Sequence, residues 1–247
     1  MVSGDFIFKL HRKLRKLGKS PIRIFCIHNV SDCFDADSMW PCDWIQTDVF
    51  KRTVLELQKQ YTFISLTEAQ RHLRRDMVRT KKYAVLTADD GYASLKNIIP
   101  WLLEQNIPIT LFINPIVWDG KAIGQNLKPL PINTREKGVQ GLYLKLEDLK
   151  ALEISPLVTL GYHGYEHIDE YHETYETFFD NLKKCKEAMS GLRNVIPFYA
   201  HTYGHTTKMN DDFLESQGIT PVYVNGGKNY YQWQNIDREL LPVTKER

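Results

Sequence analysis

The 247-residue sequence carries little net charge, few cysteines, no long apolar run and no internal repeat. With 32 Lys and Arg against 30 Asp and Glu, the formal charge is +2, so neither nucleic acid nor an anionic membrane is indicated as a partner. Cys26, Cys33, Cys42 and Cys185 show no C-x-x-C spacing, which excludes the usual zinc-ribbon and thiol-redox signatures. Cys26 falls in a predicted strand and Cys185 on an apolar helix face, so buried free thiols are expected. No stretch approaches the roughly 20 apolar residues of a membrane-spanning helix, so no transmembrane segment is expected. The start, Phe6-Ile7-Phe8-Lys9-Leu10, is interrupted by basic residues too early for a secretory signal, and a cytoplasmic location is expected. Residues 1–20 are basic through Lys9, Arg12, Lys13, Arg15, Lys16 and Lys19. A solvated helix is the first reading of that segment, and peripheral membrane contact the second.

What is present is an alternation of short apolar runs with amphipathic stretches, at a length that suits one α/β domain over residues 21–247. Strands are predicted at 22–27, 61–65, 83–86, 109–113, 157–160, 196–200, 221–224 and 240–243. Helices are predicted at about 48–60, 67–75, 94–105, 146–153, 174–190 and 209–217. The stripe Phe178, Leu182, Cys185 and Met189 in the fifth of these is core spacing. Residues 115–143 are rich in Pro, Gly, Asn and Lys and lack a period, so an insertion is expected there. This pattern predicts parallel strands covered by helices, open or closed into a barrel, with function gathered where strands end.

Five polar residues fall at or just beyond such ends: His28, Asp89, Asp90, His163 and Tyr203. Asp89 and Asp90 follow a buried strand and precede a helix, with Gly91 permitting a tight turn. Adjacent carboxylates repel one another, and a metal ion on one removes the conflict. His163 and His167 are four residues apart, which on a helical turn would face one side and could hold an ion together. Two imidazoles and a carboxylate make an open site of the kind used by catalytic zinc or iron. His172, among Asp169, Glu170 and Glu173, reads as solvated.

The ordered set Thr87-Ala88-Asp89-Asp90-Gly91, then His163 to His167, then Tyr203-Gly204, resembles the polysaccharide deacetylase family, the NodB-homology domain of carbohydrate esterase family 4. Ile27-His28-Asn29-Val30 and the segments at 50–57 and 61–68 are similar to its exopolysaccharide-deacetylase branch. The resemblance implies an irregular (β/α) barrel of about seven parallel strands. It also implies a metal-dependent deacetylase removing an acetyl group, N-acetyl foremost, from a sugar or polysaccharide. Asp89 would be the general base, and Asp90, His163 and His167 the ligands of a divalent ion. Zinc is the first expectation, with nickel, cobalt or iron as alternatives. The backbone N–H of Tyr203 would help bind the oxyanion, and an acetylated sugar or glycan would be the substrate.

The sequence departs from the family pattern in four places. Ala88 stands where a Phe often precedes the two Asp residues, which should change packing only. Gly164 replaces a Ser or Thr that would brace the histidine loop. Ala200, His201 and Thr202 precede Tyr203 where an Arg and a Pro are usual, leaving no Arg there to orient Asp89. No His follows His205, so the late catalytic His has no counterpart. Among His28, His201 and His205 as replacement acid, His28 is preferred, because it ends a buried and therefore rigid strand. Two other readings are a carbohydrate-binding protein on a decayed deacetylase scaffold and a different metal-dependent C–N hydrolase.

Overall fold

A computed structural model describes residues 22–32, 44–74, 81–119, 142–224 and 236–242. The basic segment at 1–20 and residues 120–141 of the expected insertion lie outside the described residues. The elements are β1 (Ile22–Ile27), β2 (Asn29–Ser31), β3 (Trp44–Gln46), α1 (Thr47–Gln58), β4 (Thr62–Phe63), α2 (Leu66–Arg74), β5 (Tyr83–Ala88) and α3 (Leu95–Glu104). They continue with β6 (Ile109–Ile113), α4 (Leu146–Leu152), β7 (Val158–Tyr162), α5 (Tyr175–Met189), β8 (Val195–Ala200), α6 (Lys208–Ser216), β9 (Thr220–Tyr223), β10 (Ile236–Asp237) and β11 (Glu239–Leu240). Single 3-10 turns occupy Pro115–Asp119 and Thr202–Gly204.

Nine strands form one sheet in the order β10-β9-β8-β7-β6-β5-β1-β11, with β4 beside the start of β5. Every pairing in it is parallel. The two edge strands, β10 and β11, are consecutive in the chain and separated by Arg238 alone. One residue therefore spans from one edge of the sheet to the other, and the sheet is nearly closed into a barrel, the one of the two arrangements left by the sequence pattern that the resemblance implies. The strand count exceeds seven because three two-residue strands join six longer ones: β4 lies within the strand expected at 61–65, β11 overlaps the one expected at 240–243, and β10 is too short to show a period. A separate parallel pair, β2 with β3, was also not legible.

The period-2 alternation of the strands sorts the core into two layers. Ile22, Ile24, Val85, Phe112, Phe198, Ala200, Val222 and Ile236 pack together inside the barrel, with Leu66, Ala69 and Leu73 of α2 against them. Phe25, Ile27, Leu86, Ala88, Leu111, Ile113 and Leu160 face outward onto the helices. They meet Phe50 and Val54 of α1, Leu95, Ile98, Ile99 and Leu102 of α3, and Cys185 and Met189 of α5. Each Val, Leu, Ile, Phe and Met among them contributes roughly 1.5–3 kcal/mol on burial. Helix α5 begins where its sequence says, because the Thr174 hydroxyl accepts the N–H of Thr177 at 3.2 Å. Parallel strands all end at one rim, so β1, β5, β7 and β8 deliver the residues that follow them to a common mouth.

Candidate active site

Asp89 and Asp90 leave β5 through a turn with two consecutive left-handed residues, Asp90 at φ +67° and Gly91 at φ +68°. The second must be Gly, since a Cβ there would meet Ile113 Cδ1 at 2.7 Å. The first is a strained position for aspartate, at a cost of order 1–3 kcal/mol, and hydrogen bonds hold it. Gly91 N–H donates to Asp89 O (2.8 Å), Leu144 N–H to Gly91 O (2.8 Å) and Ala93 N–H to Leu142 O (2.9 Å). The reversal turns the two carboxylates apart: Asp89 points into the barrel and Asp90 toward the histidine loop.

His163 follows β7, and its Nδ1 lies 2.7 Å from Ala200 O at the end of β8. A carbonyl only accepts, so Nδ1 carries the proton and Nε2 is left as a lone-pair donor. That Nε2 lies 3.4 Å from Asp90 Oδ1, and His167 Nε2 lies 3.5 Å from the same oxygen. The 163–167 segment is a bend and not the helical turn expected from the spacing. The rings converge because Gly164, at φ +75°, folds the loop back. A Cβ at Gly164 would strike Asn181 Nδ2 at 2.6 Å. Asn181 braces the loop, accepting Glu166 N–H at 2.7 Å and donating to Glu166 O at 3.0 Å. Asn114 Nδ2 donates to the carbonyls of His163 and Gly164. Two asparagines thus do the bracing that a hydroxyl at position 164 would have supplied.

The three residues fit a divalent ion. Asp90 Oδ1 and His167 Nδ1 are buried without a hydrogen-bond partner among the described residues. Orphaned buried polar atoms are costly, and a cation on Oδ1 removes the cost there. Tetrahedral ligands about 2.05 Å from zinc are ~3.3 Å apart, close to the separations of the two Nε2 atoms from Oδ1. Burial pushes His167 down to about 4, with Asp90 opposing, which keeps it neutral and able to ligate. A second cluster, Cys26, His28 and Asp89, also places potential ligand atoms within 4.8 Å of one another. There, however, Asp89 is already neutralised by a guanidinium, which would repel a second cation.

That guanidinium is Arg238, which sequence reading missed. Its side chain is fully buried, and four of the five N–H donors of its guanidinium are bonded. Nη1 donates to Asp89 Oδ1 (2.5 Å) and Thr87 Oγ1 (3.2 Å), Nη2 to Asp89 Oδ2 (2.7 Å) and Nε to Tyr223 O (3.4 Å). The expectation that no Arg orients Asp89 is therefore corrected: the Arg comes from the β10–β11 junction and not from the segment before Tyr203. Burial alone would raise the Asp89 pKa, but Arg238 foremost holds it well below the usual carboxylate range. The arginine lies over the Phe112 ring, 5.1 Å from its centroid. Phe112 in turn occupies space that a Cβ on Gly161 would fill, at 2.4 Å.

His28 sits between β1 and β2 and shares the cluster with Asp89 and Cys26. The Cys26 thiol lies 3.5 Å from Asp89 Oδ2, and burial pushes it well above its ordinary pKa, so it stays protonated. Cys26 and Cys185 are buried free thiols, as expected. Tyr203 takes φ +56° in the turn after β8 and sets its ring edge-on to His167, with centroids 4.4 Å apart. The other two candidate acids are engaged elsewhere. His201 is buried between Glu170 Oε2 (2.6 Å) and Asp211 Oδ1 (3.0 Å). His205 Nδ1 pairs with Asp169 Oδ1 at 3.0 Å. His172 is largely solvent-exposed, as expected, but Glu170 beside it is fully buried.

A parallel barrel thus carries a two-imidazole, one-carboxylate pocket beside an Arg-tethered carboxylate at its mouth, a set of groups suited to hydrolysis. The family model described as "Polysaccharide deacetylase" matches residues 76–222, more than half of the chain, and the chain belongs to that family. It is thus a hydrolase acting on carbon–nitrogen bonds. No curated protein matches the chain. The fold is similar to that of IcaB from Ammonifex degensii, at TM-score 0.69 and 19% identity over 90% of this chain and 91% of that one. It is also similar to a de-N-acetylase from Aggregatibacter actinomycetemcomitans, at TM-score 0.70 and 15% identity over 92% and 97%. A third similar fold is that of the Streptococcus pyogenes deacetylase PplD, at TM-score 0.69 and 17% identity over 91% and 94%.

Proposed function

We propose that the chain is a metal-dependent deacetylase that hydrolyses an N-linked acetyl group from a sugar unit of a glycan. The observation that carries this reading is Asp90 Oδ1. It is buried, lacks a hydrogen bond among the described residues and faces two imidazole Nε2 atoms at 3.4 and 3.5 Å. Asp90, His163 and His167 would hold the ion, with zinc favoured by the nitrogen-and-oxygen donor set and the position it leaves open. When bound, the ion supplies Lewis-acid polarisation and a more acidic nucleophilic water.

The chain's own residues do the rest. Asp89 accepts the proton of the attacking water as its oxygen bonds to the acetyl carbonyl carbon. A carboxylate offers about four acceptor sites. Arg238 occupies one on each oxygen, and Cys26 lies against Oδ2, so the free site for that proton is on Oδ1. The backbone N–H of Tyr203 has the part that the family resemblance implies, contributing to stabilisation of the oxyanion, a large part of acyl-transfer catalysis. His28 donates a proton to the departing amine nitrogen as the C–N bond breaks, releasing acetate and the free amino sugar.

The test is acetate release from a panel of N-acetylated and O-acetylated sugars and oligosaccharides, before and after chelation and after zinc is restored. Release from the N-acetyl substrates that disappears on chelation and returns with zinc is expected. Release unaffected by chelation, or confined to O-acetyl esters, overturns the reading.

A further inference from the structure

Glu170, His201 and Asp211 form a charged cluster that no step of the proposed reaction uses. Glu170 comes from the loop after β7, His201 directly follows β8, and Asp211 lies in the first turn of α6. The Glu170 and His201 side chains are fully buried. His201 Nδ1 donates to Glu170 Oε2 at 2.6 Å. Its Nε2 lies 3.0 Å from Asp211 Oδ1, off the line of a hydrogen bond but within ion-pair distance. Tyr223 stacks on the ring, with centroids 5.1 Å apart. A lone pair on either nitrogen would face a carboxylate oxygen, so both nitrogens carry protons and the ring is an imidazolium. Burial opposes that charge, but the two carboxylates outweigh it and raise the pKa to about 9.

The same Glu170 carboxylate holds the turn that carries Tyr203. Its Oε1 accepts the Thr202 N–H at 3.3 Å and the Tyr199 hydroxyl at 2.9 Å. Thr202 Oγ1 donates to the carbonyl of Ile168, the residue after His167. Asn210 Nδ2 of α6 donates to Glu170 O at 3.4 Å. The turn closes through Gly204 N–H to His201 O (3.2 Å) and His205 N–H to Thr202 O (3.0 Å). Within it Tyr203 sits at φ +56°, a conformation that a non-glycine residue keeps only where its surroundings over-determine it. A buried ion pair adds little net stability over well-packed apolar side chains, and its better-attested use is to fix one arrangement. The arrangement fixed here joins the histidine loop, the Tyr203 turn and α6.

We infer that Glu170 and His201 are positioning residues, a buried pair that holds the Tyr203 turn against the loop carrying His163 and His167. The inference rests on the proposed function, in which the Tyr203 N–H helps to stabilise the oxyanion. Both residues act through the backbone of the turn, and neither has a proton to move in the reaction. Their effect on rate is geometric, since a misplacement of about 1 Å at a reacting centre can cost ~10²-fold. Substrate affinity and metal content are expected to stand apart from it, because Asp90, His163 and His167 keep their own hydrogen bonds and contacts when the pair is broken.

Glu170→Ala and Glu170→Gln separate positioning from packing. The alanine variant loses the anchors of both Thr202 and His201. In the glutamine variant the amide oxygen keeps the Thr202 N–H, and the amide nitrogen donates to Nδ1 of a now neutral His201. With zinc-loaded protein and N-acetylglucosamine oligomers as probes, Glu170→Ala should lower kcat by about 10–100-fold, with KM within about twofold of the parent and metal content unchanged. Glu170→Gln should restore kcat to within about threefold of the parent. Amide hydrogen exchange over residues 201–205 is a readout that needs no turnover. It should quicken in Glu170→Ala and match the parent in Glu170→Gln. In the parent, nitrogen NMR at pH 7 should show His201 protonated on both ring nitrogens, a check that holds even if the alanine variant does not fold. Unchanged exchange in Glu170→Ala, a loss that falls on KM and not kcat, a glutamine variant no better than the alanine one, or a neutral His201 overturns the inference. No acetate from the parent, with exchange as expected, would sink the proposed function and keep the pair as the anchor of the turn.

Discussion

Replacing Arg238 with methionine should be among the most damaging single changes outside the metal ligands. The guanidinium is fully buried, and Asp89 beside it is 4% exposed at its side chain. Removing one member of a buried, hydrogen-bonded pair leaves the other charge without compensation, at a cost of about 3–5 kcal/mol. For a chain of this size each kcal/mol moves the melting temperature by roughly 2–4 °C, so Arg238→Met should lower it by about 6–20 °C. The measurement is thermal unfolding by circular dichroism in excess chelator, so that metal binding does not mask the change. The pair makes a sharper forecast through a double-mutant cycle. Asp89→Asn leaves a buried guanidinium facing a neutral amide, and Asp89→Asn with Arg238→Met removes both charges. The combined variant should therefore be more stable than the sum of the single losses implies, by at least ~1 kcal/mol. Arg238→Lys keeps a charge but cannot form the two parallel bonds, and should fall between parent and methionine variant. A melting temperature for Arg238→Met within 2 °C of the parent, or strictly additive losses, would refute the tether.

Three other outcomes are expected. Asp89→Asn should retain metal and lose roughly 10²–10⁴-fold in rate, and loss of metal with little change in rate per bound ion would reverse the roles of the two aspartates. Across pH, metal-loaded His28→Gln should lose the limb of the rate profile that falls as pH rises, while His201→Gln and His205→Gln keep it; all three keeping it would show that His28 is not the acid. Burial alone would lower the His201 pKa, but Glu170 and Asp211 outweigh it and raise it to about 9, against ~6.5 for a free imidazole. A raised folded-state value means that the stabilisation is complete below about pH 6.5 and is lost as pH climbs through about 9. The gap corresponds to on the order of 3 kcal/mol. Unfolding free energies of chelated protein should fall over that window in the parent and much less in His201→Gln; matching slopes would remove His201 from the account.

The parts of the site that were legible in the sequence are those carried by local pattern. An apolar run followed by Asp89-Asp90-Gly91 and an amphipathic stretch marks a strand, a turn and a helix between Tyr83 and Glu104. His163 and His167 were visible as a pair, but the helical turn assigned to them was wrong because Gly164, braced by Asn114 and Asn181, folds the loop differently. Arg238 was invisible for a physical reason. Its partner lies 149 residues away, and its charged neighbours Asp237 and Glu239 give no local pattern that marks a buried side chain. Glu170 was legible only as part of the polar stretch around His172, yet it is fully buried against Tyr199, His201 and Thr202. Local propensity cannot report a charge that is neutralised across the barrel. The strand–helix alternation predicted parallel strands covered by helices, open or closed, and the resemblance implied the barrel; closure itself depends on the short strands on either side of Arg238, which carry little period to detect.

The central claim is that Asp90, His163 and His167 hold one divalent ion on which deacetylation depends. Elemental analysis of the purified parent and of His163→Ala, paired with acetate release on the same samples, tests it most directly. About one equivalent of metal in the parent, with metal and acetate release lost together in the variant, is the predicted result. As much metal in His163→Ala as in the parent, or undiminished acetate release from a metal-free variant, would contradict it.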